Sequence, residues 1–253
     1  MARRARVRPV RRVEPGASAD RSPGARLSCA VLSASPEEWV GVDLATGAFV
    51  RTRHGAFSRR GAGEMLGPAA DTGLDEGAAG RAPWAPLDVA VVSVGEDLDP
   101  PDPARPEAVA LAADIEPAGR VGRRAARRLL RHLAAPEQPG AAVLGTRGPS
   151  IAYVDLDARS PSVVLLASAP RHIECYLRPD GAPACSFTWS GTTQALPLLD
   201  SRLRSAVRDR SPRPLDDAHV AAAIGGRPAF LLVGLTAVRD GHVPKAVLAV
   251  LAR

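Results

Sequence analysis

The chain has 253 residues, 45% hydrophobic and only 4% aromatic, so its one large or two small cores must be built from Val, Leu and Ala. The net charge of +6 is not spread over it: Arg3, Arg4, Arg6, Arg8, Arg11, Arg12, Arg21 and Arg26 against Glu14 and Asp20 account for all of it. Residues 27–253 therefore sum to zero, which excludes a uniformly basic body as the reading of the pI near 10.1.

Residues 1–26 carry Pro and Gly among the arginines and few apolar side chains, so they are expected to be a disordered basic arm. Two readings of it stay open, a phosphate-binding or membrane-surface arm, and a solubilising tail or a mis-assigned start codon. No 7–15-residue apolar run follows the arginines, so a secretory leader is not expected. No stretch approaches about 18 uninterrupted apolar residues, so no membrane partner is expected and a cytoplasmic location is.

Strand patterns begin at Arg26–Ser33 and continue in Trp39–Arg51, where apolar residues alternate at Val40, Val42 and Leu44, then at Ala48 and Val50. Ala45-Thr46-Gly47 supplies the turn of this hairpin. Residues 54–84 are rich in Gly, Ala and Pro and read as a long loop. Leu87–Val94 is a strand; Asp97–Pro106 holds too many prolines to be regular; Pro106–Ala113 is a last strand or a short helical turn. Val121–Leu133 is the clearest helix, with Arg123, Arg127 and Arg131 at helical spacing, Arg124 and Arg128 beside them, and a Leu stripe opposite. That cationic face is either a phosphate grip or a solvated outer face.

The second half repeats the β texture at Ile151–Leu156, Ser162–Ala167, His172–Leu177, Ala184–Ser190 and Thr193–Leu198. Asp200–Val207 and Asp216–Ile224 read as helices, the second capped by its opening Asp. Phe230–Thr236 and Val243–Leu251 close the chain as an apolar hairpin around Asp240-Gly241. Cys175 and Cys185 flank the turn at Arg178-Pro179-Asp180-Gly181, where a bond is geometrically possible; two reduced core thiols is the other reading. The pattern as a whole predicts a mainly β chain with minor α: two small barrels joined by a helix, after a disordered basic arm.

Four segments together resemble the dual OB-containing domain family, a tandem pair of OB-like barrels. Gly41-Val42-Asp43-Leu44 through Gly47-Ala48-Phe49-Val50-Arg51 is similar to the family's "GxDxxxGxWxRP" opening. Pro86-Leu87-Asp88-Val89 with Arg105-Pro106-Glu107 is similar to its "PLDV…QPEN" stretch. Phe187-Thr188-Trp189-Ser190-Gly191 resembles an aromatic strand pair, and Leu231-Leu232-Val233-Gly234-Leu235 through Lys245-Ala246-Val247 resembles its closing hairpin. This chain departs from the pattern at Phe49, Thr52, Arg105 and Ala108. The resemblance implies two OB-like barrels at 27–118 and 149–253, with 119–148 as a linker helix, and a non-catalytic binder of nucleic acid or a nucleotide.

Within that frame Arg51 and Lys245 are the candidate phosphate holders, with Asp43, Asp88 and Glu107 positioning them. For Arg51 a structural ion pair with Asp43 or Glu38 is an equal reading. Weaker nucleic-acid contacts are expected from Arg3, Arg4, Arg6, Arg8, Arg11, Arg12, Arg123, Arg127 and Arg131. Nine aromatics are too few for a single-strand stacking platform, and Phe187 and Trp189 read first as core. The five histidines and three cysteines show no metal-ligand or catalytic spacing, and the Gly-rich loops lack the Lys and helix of a phosphate loop, so no cofactor is expected; the enzyme reading, a hydrolase with dispersed catalytic residues, stays open as the third and least favoured class. The other function class is a protein-interaction or scaffold module.

Overall fold

A computed structural model describes residues 18–35, 38–52, 84–97, 102–157, 160–167 and 173–252. The arm arginines Arg3, Arg4, Arg6, Arg8, Arg11 and Arg12 and nearly all of the 54–84 loop lie outside the described residues. Among the described residues the chain is mainly β with three α-helices, its sheets curled and including a half-barrel. In chain order the elements are β1 (Arg26–Ala34), β2 (Trp39–Asp43), β3 (Phe49–Thr52), β4 (Asp88–Ser93), β5 (Ala108–Val109), β6 (Glu116–Arg120), α1 (Arg123–Leu133), β7 (Ala134–Ala135), β8 (Ser150–Ala152) and β9 (Val163–Ala167). They continue with β10 (Glu174–Leu177), β11 (Pro183–Trp189), β12 (Thr192–Pro197), α2 (Ser201–Arg210), α3 (Asp217–Ile224), β13 (Pro228–Leu235) and β14 (His242–Ala252). Among the described residues no helix is long and apolar enough to cross a membrane.

Three sheets result. The first runs β5-β3-β2-β1-β4-β6, the second β10-β11-β12, and the third β7-β9-β13-β14-β8. Among the described strands all ladder pairings are antiparallel except β3 with β5 and β7 with β9. Side-chain alternation sorts the faces. In β1, Ala30 and Leu32 point to one core while Leu27, Cys29 and Val31 point to another. In β13, Phe230 and Leu232 join Ala30 and Leu32, whereas Leu231 and Val233 face Leu203 and Val207 of α2, Val220 of α3, and Phe187 of β11. The five-stranded sheet is thus covered on both faces, which is why β13 and β14 read as nearly continuous apolar runs rather than alternating ones.

One core holds residues from both halves of the sequence: Val40, Val42 and Val89 pack with Val163, Leu165, Leu232 and Leu248. The apolar stripe of α1, Ala126, Leu129 and Leu130, is buried in this same core. The helix therefore does more than join two β clusters, since it seals the seam where they meet.

Two differences from the sequence reading have plain causes. Residues 18–26 are not part of a free arm: Ala19 is buried, the Gly24 amide donates to the Val94 carbonyl at 2.8 Å, and Arg26 pairs with Ser93. At the start of β1 Arg26 pairs its backbone with β4 while its exposed side chain donates to Glu116 at 2.9 Å. The strand β6 has no apolar pattern because every residue in it is exposed; it is held by backbone pairing to β4.

Gly41 shows how tightly the first hairpin is packed: a Cβ there would overlap the buried Trp39 ring and come within 3.1 Å of the Ala30 carbonyl. Gly41→Ala is expected to destabilise the chain by about 1–3 kcal/mol through overpacking, read as a lowered urea midpoint with an unchanged m-value.

Candidate functional site

The hairpin β2–β3 carries Arg51 to a position with no solvent exposure. Its Nε donates to Glu38 Oε1 at 2.7 Å, and Nη2 donates both to that same oxygen and to the Leu235 carbonyl at 2.7 Å. Its Nη1 donates to Ser162 Oγ at 2.8 Å and reaches the Ser162 carbonyl at 3.5 Å. These contacts engage all five N–H groups of the guanidinium. Ser162 in turn donates its amide to Glu107 Oε1 at 2.8 Å and its hydroxyl to Glu107 Oε2. The Arg51 amide donates to the Glu107 carbonyl at 3.0 Å. Four residues, Glu38, Glu107, Ser162 and Leu235, from four separate stretches of chain therefore gather around one buried cation.

Lys245, on β14 opposite Leu235, is likewise fully buried. Its Nζ donates to the Thr146 carbonyl at 2.6 Å and to the Gly148 carbonyl at 2.8 Å, and its amide donates to the Pro149 carbonyl. Burial without a facing carboxylate lowers its pKa from 10.5 to about 8. A neutral amine has two N–H groups, which matches the two carbonyls.

The other three predicted residues divide. Glu107 belongs to the Arg51 cluster. Asp43 instead shapes the β2–β3 turn, accepting from the Ala45 amide at 3.3 Å, the Thr46 amide at 3.1 Å and the Thr46 hydroxyl at 2.7 Å. Asp88 accepts from the Ala85 amide at 2.8 Å and stands 3.7 Å from Arg120. Glu38, weighed from sequence as a structural partner of Arg51, is that partner. Ser162 escaped the sequence reading, and nothing in Ser160-Pro161-Ser162 signals a buried hub.

The remaining cationic feature is α1. At about 100° per residue, Arg123, Arg124, Arg127, Arg128 and Arg131 fall within roughly 140° of arc. All five are exposed. Among the described residues none of the five has an ion-pair or hydrogen-bond partner. The first turn holds no acidic residue, so Arg123 and Arg124 sit at the positive end of the helix dipole. Among the described residues no group of three His, Cys, Asp or Glu is placed to hold a metal.

No family model matches the chain, and no curated protein or solved structure matches it either.

Arg51→Met leaves the partly buried Glu38 carboxylate and the Ser162 and Leu235 oxygens without their donor, so a loss of about 2–4 kcal/mol is expected in urea unfolding. For Lys245 the sign is set by the depressed pKa. Between pH 8 and 10.5 the unfolded chain binds a proton that the folded chain does not, so stability rises with pH across that window. Relative to Lys245→Met, the wild-type chain should therefore gain on the order of 1–3 kcal/mol between pH 8 and 10.5; a flat difference would refute the desolvated amine.

Proposed function

We propose that the protein is a non-catalytic nucleic-acid-binding module whose contact surface is the arginine face of α1. The observation that carries this is five exposed guanidiniums on one helix face with no acidic partner among the described residues. Surface arginines that only solubilise are commonly interspersed with acids; a one-sign, unpaired arc complements a phosphate backbone. The resemblance to tandem OB-like barrels and the curled sheets agree with such a role. Arg51 and Lys245 are not the phosphate holders in this reading, because protein acceptors already take their donors. Their part is to keep rigid the scaffold that α1 decorates, while the arm arginines add sequence-independent affinity.

The test is fluorescence anisotropy of labelled single- and double-stranded DNA and RNA across a salt series, with three full-length proteins. These are the wild type, a variant with Arg123, Arg127 and Arg131 replaced by Gln, and one with the six arm arginines Arg3 to Arg12 so replaced. Each lost phosphate contact should flatten the log–log salt slope by about 0.7–1, so the helix variant should lose roughly 2–3. If only the arm variant weakens binding, the α1 reading fails. Absence of binding by the wild type would turn attention to a protein partner.

A further inference from the structure

The turn at Arg178–Ala182 brings Cys175 and Cys185 into register as directly opposed residues of β10 and β11. Which kind of opposed pair they form follows from the hydrogen bonds. Cys175 exchanges both backbone bonds with Leu215 on its other side: its amide donates to the Leu215 carbonyl at 3.1 Å and its carbonyl accepts at 2.7 Å. Its amide and carbonyl therefore point away from β11. The next position of the same parity pairs Leu177 with Pro183, which has no N–H to give, while the Arg178 amide donates to the Ala182 carbonyl at 2.9 Å. Cys175 and Cys185 thus occupy a non-hydrogen-bonded site, where opposed Cα atoms stand about 4.5 Å apart, inside the roughly 4.4–6.8 Å range a disulfide spans.

Both side chains project into the core beneath α2 and α3, among Phe187, Leu203, Val207 and Leu215. Contact with the Cys175 thiol and burial together push the Cys185 thiol well above the ordinary value. Cys29 is also buried, but it faces a different core, against Val31 and Trp39.

We propose that Cys175 and Cys185 are an oxidisable pair that closes into a cross-strand disulfide by exchange with a low-molecular-weight disulfide. One cysteine sulfur attacks the reagent, breaking its S–S bond and releasing one small thiol. The second cysteine then attacks the mixed disulfide, forming the Cys175–Cys185 bond and releasing the other. Two cysteine thiols are oxidised, the reagent's two sulfurs are reduced, and the two thiol protons end on the released molecules. Burial denies the reagent access in the closed fold, so the exchange runs during folding or local opening of α2 and α3 over the sheet.

The full-length chain is unfolded in urea with reductant, refolded in a glutathione redox buffer, alkylated in denaturant and mapped by mass spectrometry after digestion. The expected product links Cys175 to Cys185 and leaves Cys29 alkylated. The bonded fraction should correspond to an effective thiol concentration at least about tenfold above that of the same chain held in urea. Cys29→Ala should leave the bond intact, and the oxidised chain should unfold at a higher urea concentration than the reduced one. Separate glutathione adducts on Cys175 and Cys185, a bond to Cys29, three free thiols in the refolded chain, or a lower urea midpoint on oxidation would each overturn the proposal.

Discussion

The folded chain turns on one buried guanidinium. Removing Arg51 from water costs several kcal/mol, and nothing apolar can offset that at the site itself. What offsets it is complete occupancy: two N–H groups on Glu38, one on the Leu235 carbonyl, and two on Ser162. Arg51 lies in β3 of the first sheet and Glu38 just before its strand β2, whereas Ser162 and Leu235 frame the third, just before β9 and at the end of β13. The large shared core supplies area but no direction, because the hydrophobic effect is non-directional. The Arg51 cluster supplies the direction, since sliding one sheet over the other by a residue would strand a charge. Glu107 extends this constraint to β5, so the parallel β3–β5 pairing of the first sheet is tied to the same cation.

Lys245 meets a different demand. Its partners are two converging carbonyls and no carboxylate. A guanidinium there would bring five donors to two acceptors and leave the rest buried and unmade, whereas a short amine satisfies both. That gives a physical ground for the single lysine in a chain that otherwise uses arginine. The lowered pKa of Lys245 follows from its burial.

Local features were legible in the sequence because their causes are local. The alternation from Val40 to Val50 marks β2 and β3, the Asp216 cap accepts the Ala218 and His219 amides, and the turn after Leu177 sets the cysteine register. The partners of Arg51 were not legible in that way. Ser162 lies 111 residues away and Leu235 184, and the latter contributes only a backbone oxygen that any residue would carry. A strand-end arginine that holds a phosphate and one that holds a hub have the same local pattern; burial separates them. β6 failed for the opposite reason, since an exposed strand held by its backbone alone needs no apolar residue.

The contrast between inside and outside arginines bears most on function. Biased coding can explain why the chain prefers Arg to Lys, but not where the arginines fall. Inside, Arg51 is matched donor by donor, and the partly exposed Arg202 is held by Asp200 and the Val250 carbonyl. On α1, five arginines stand within eleven residues without an acidic partner among the described residues. Two of them oppose the helix dipole, at a typical 0.3–1 kcal/mol each. A helix selected only to bury Ala126, Leu129 and Leu130 would gain stability from an acid at either position. Under the nucleic-acid-binding proposal, a phosphate placed across that first turn would remove the penalty and be drawn by the dipole and both guanidiniums at once, so the local cost would become part of the affinity.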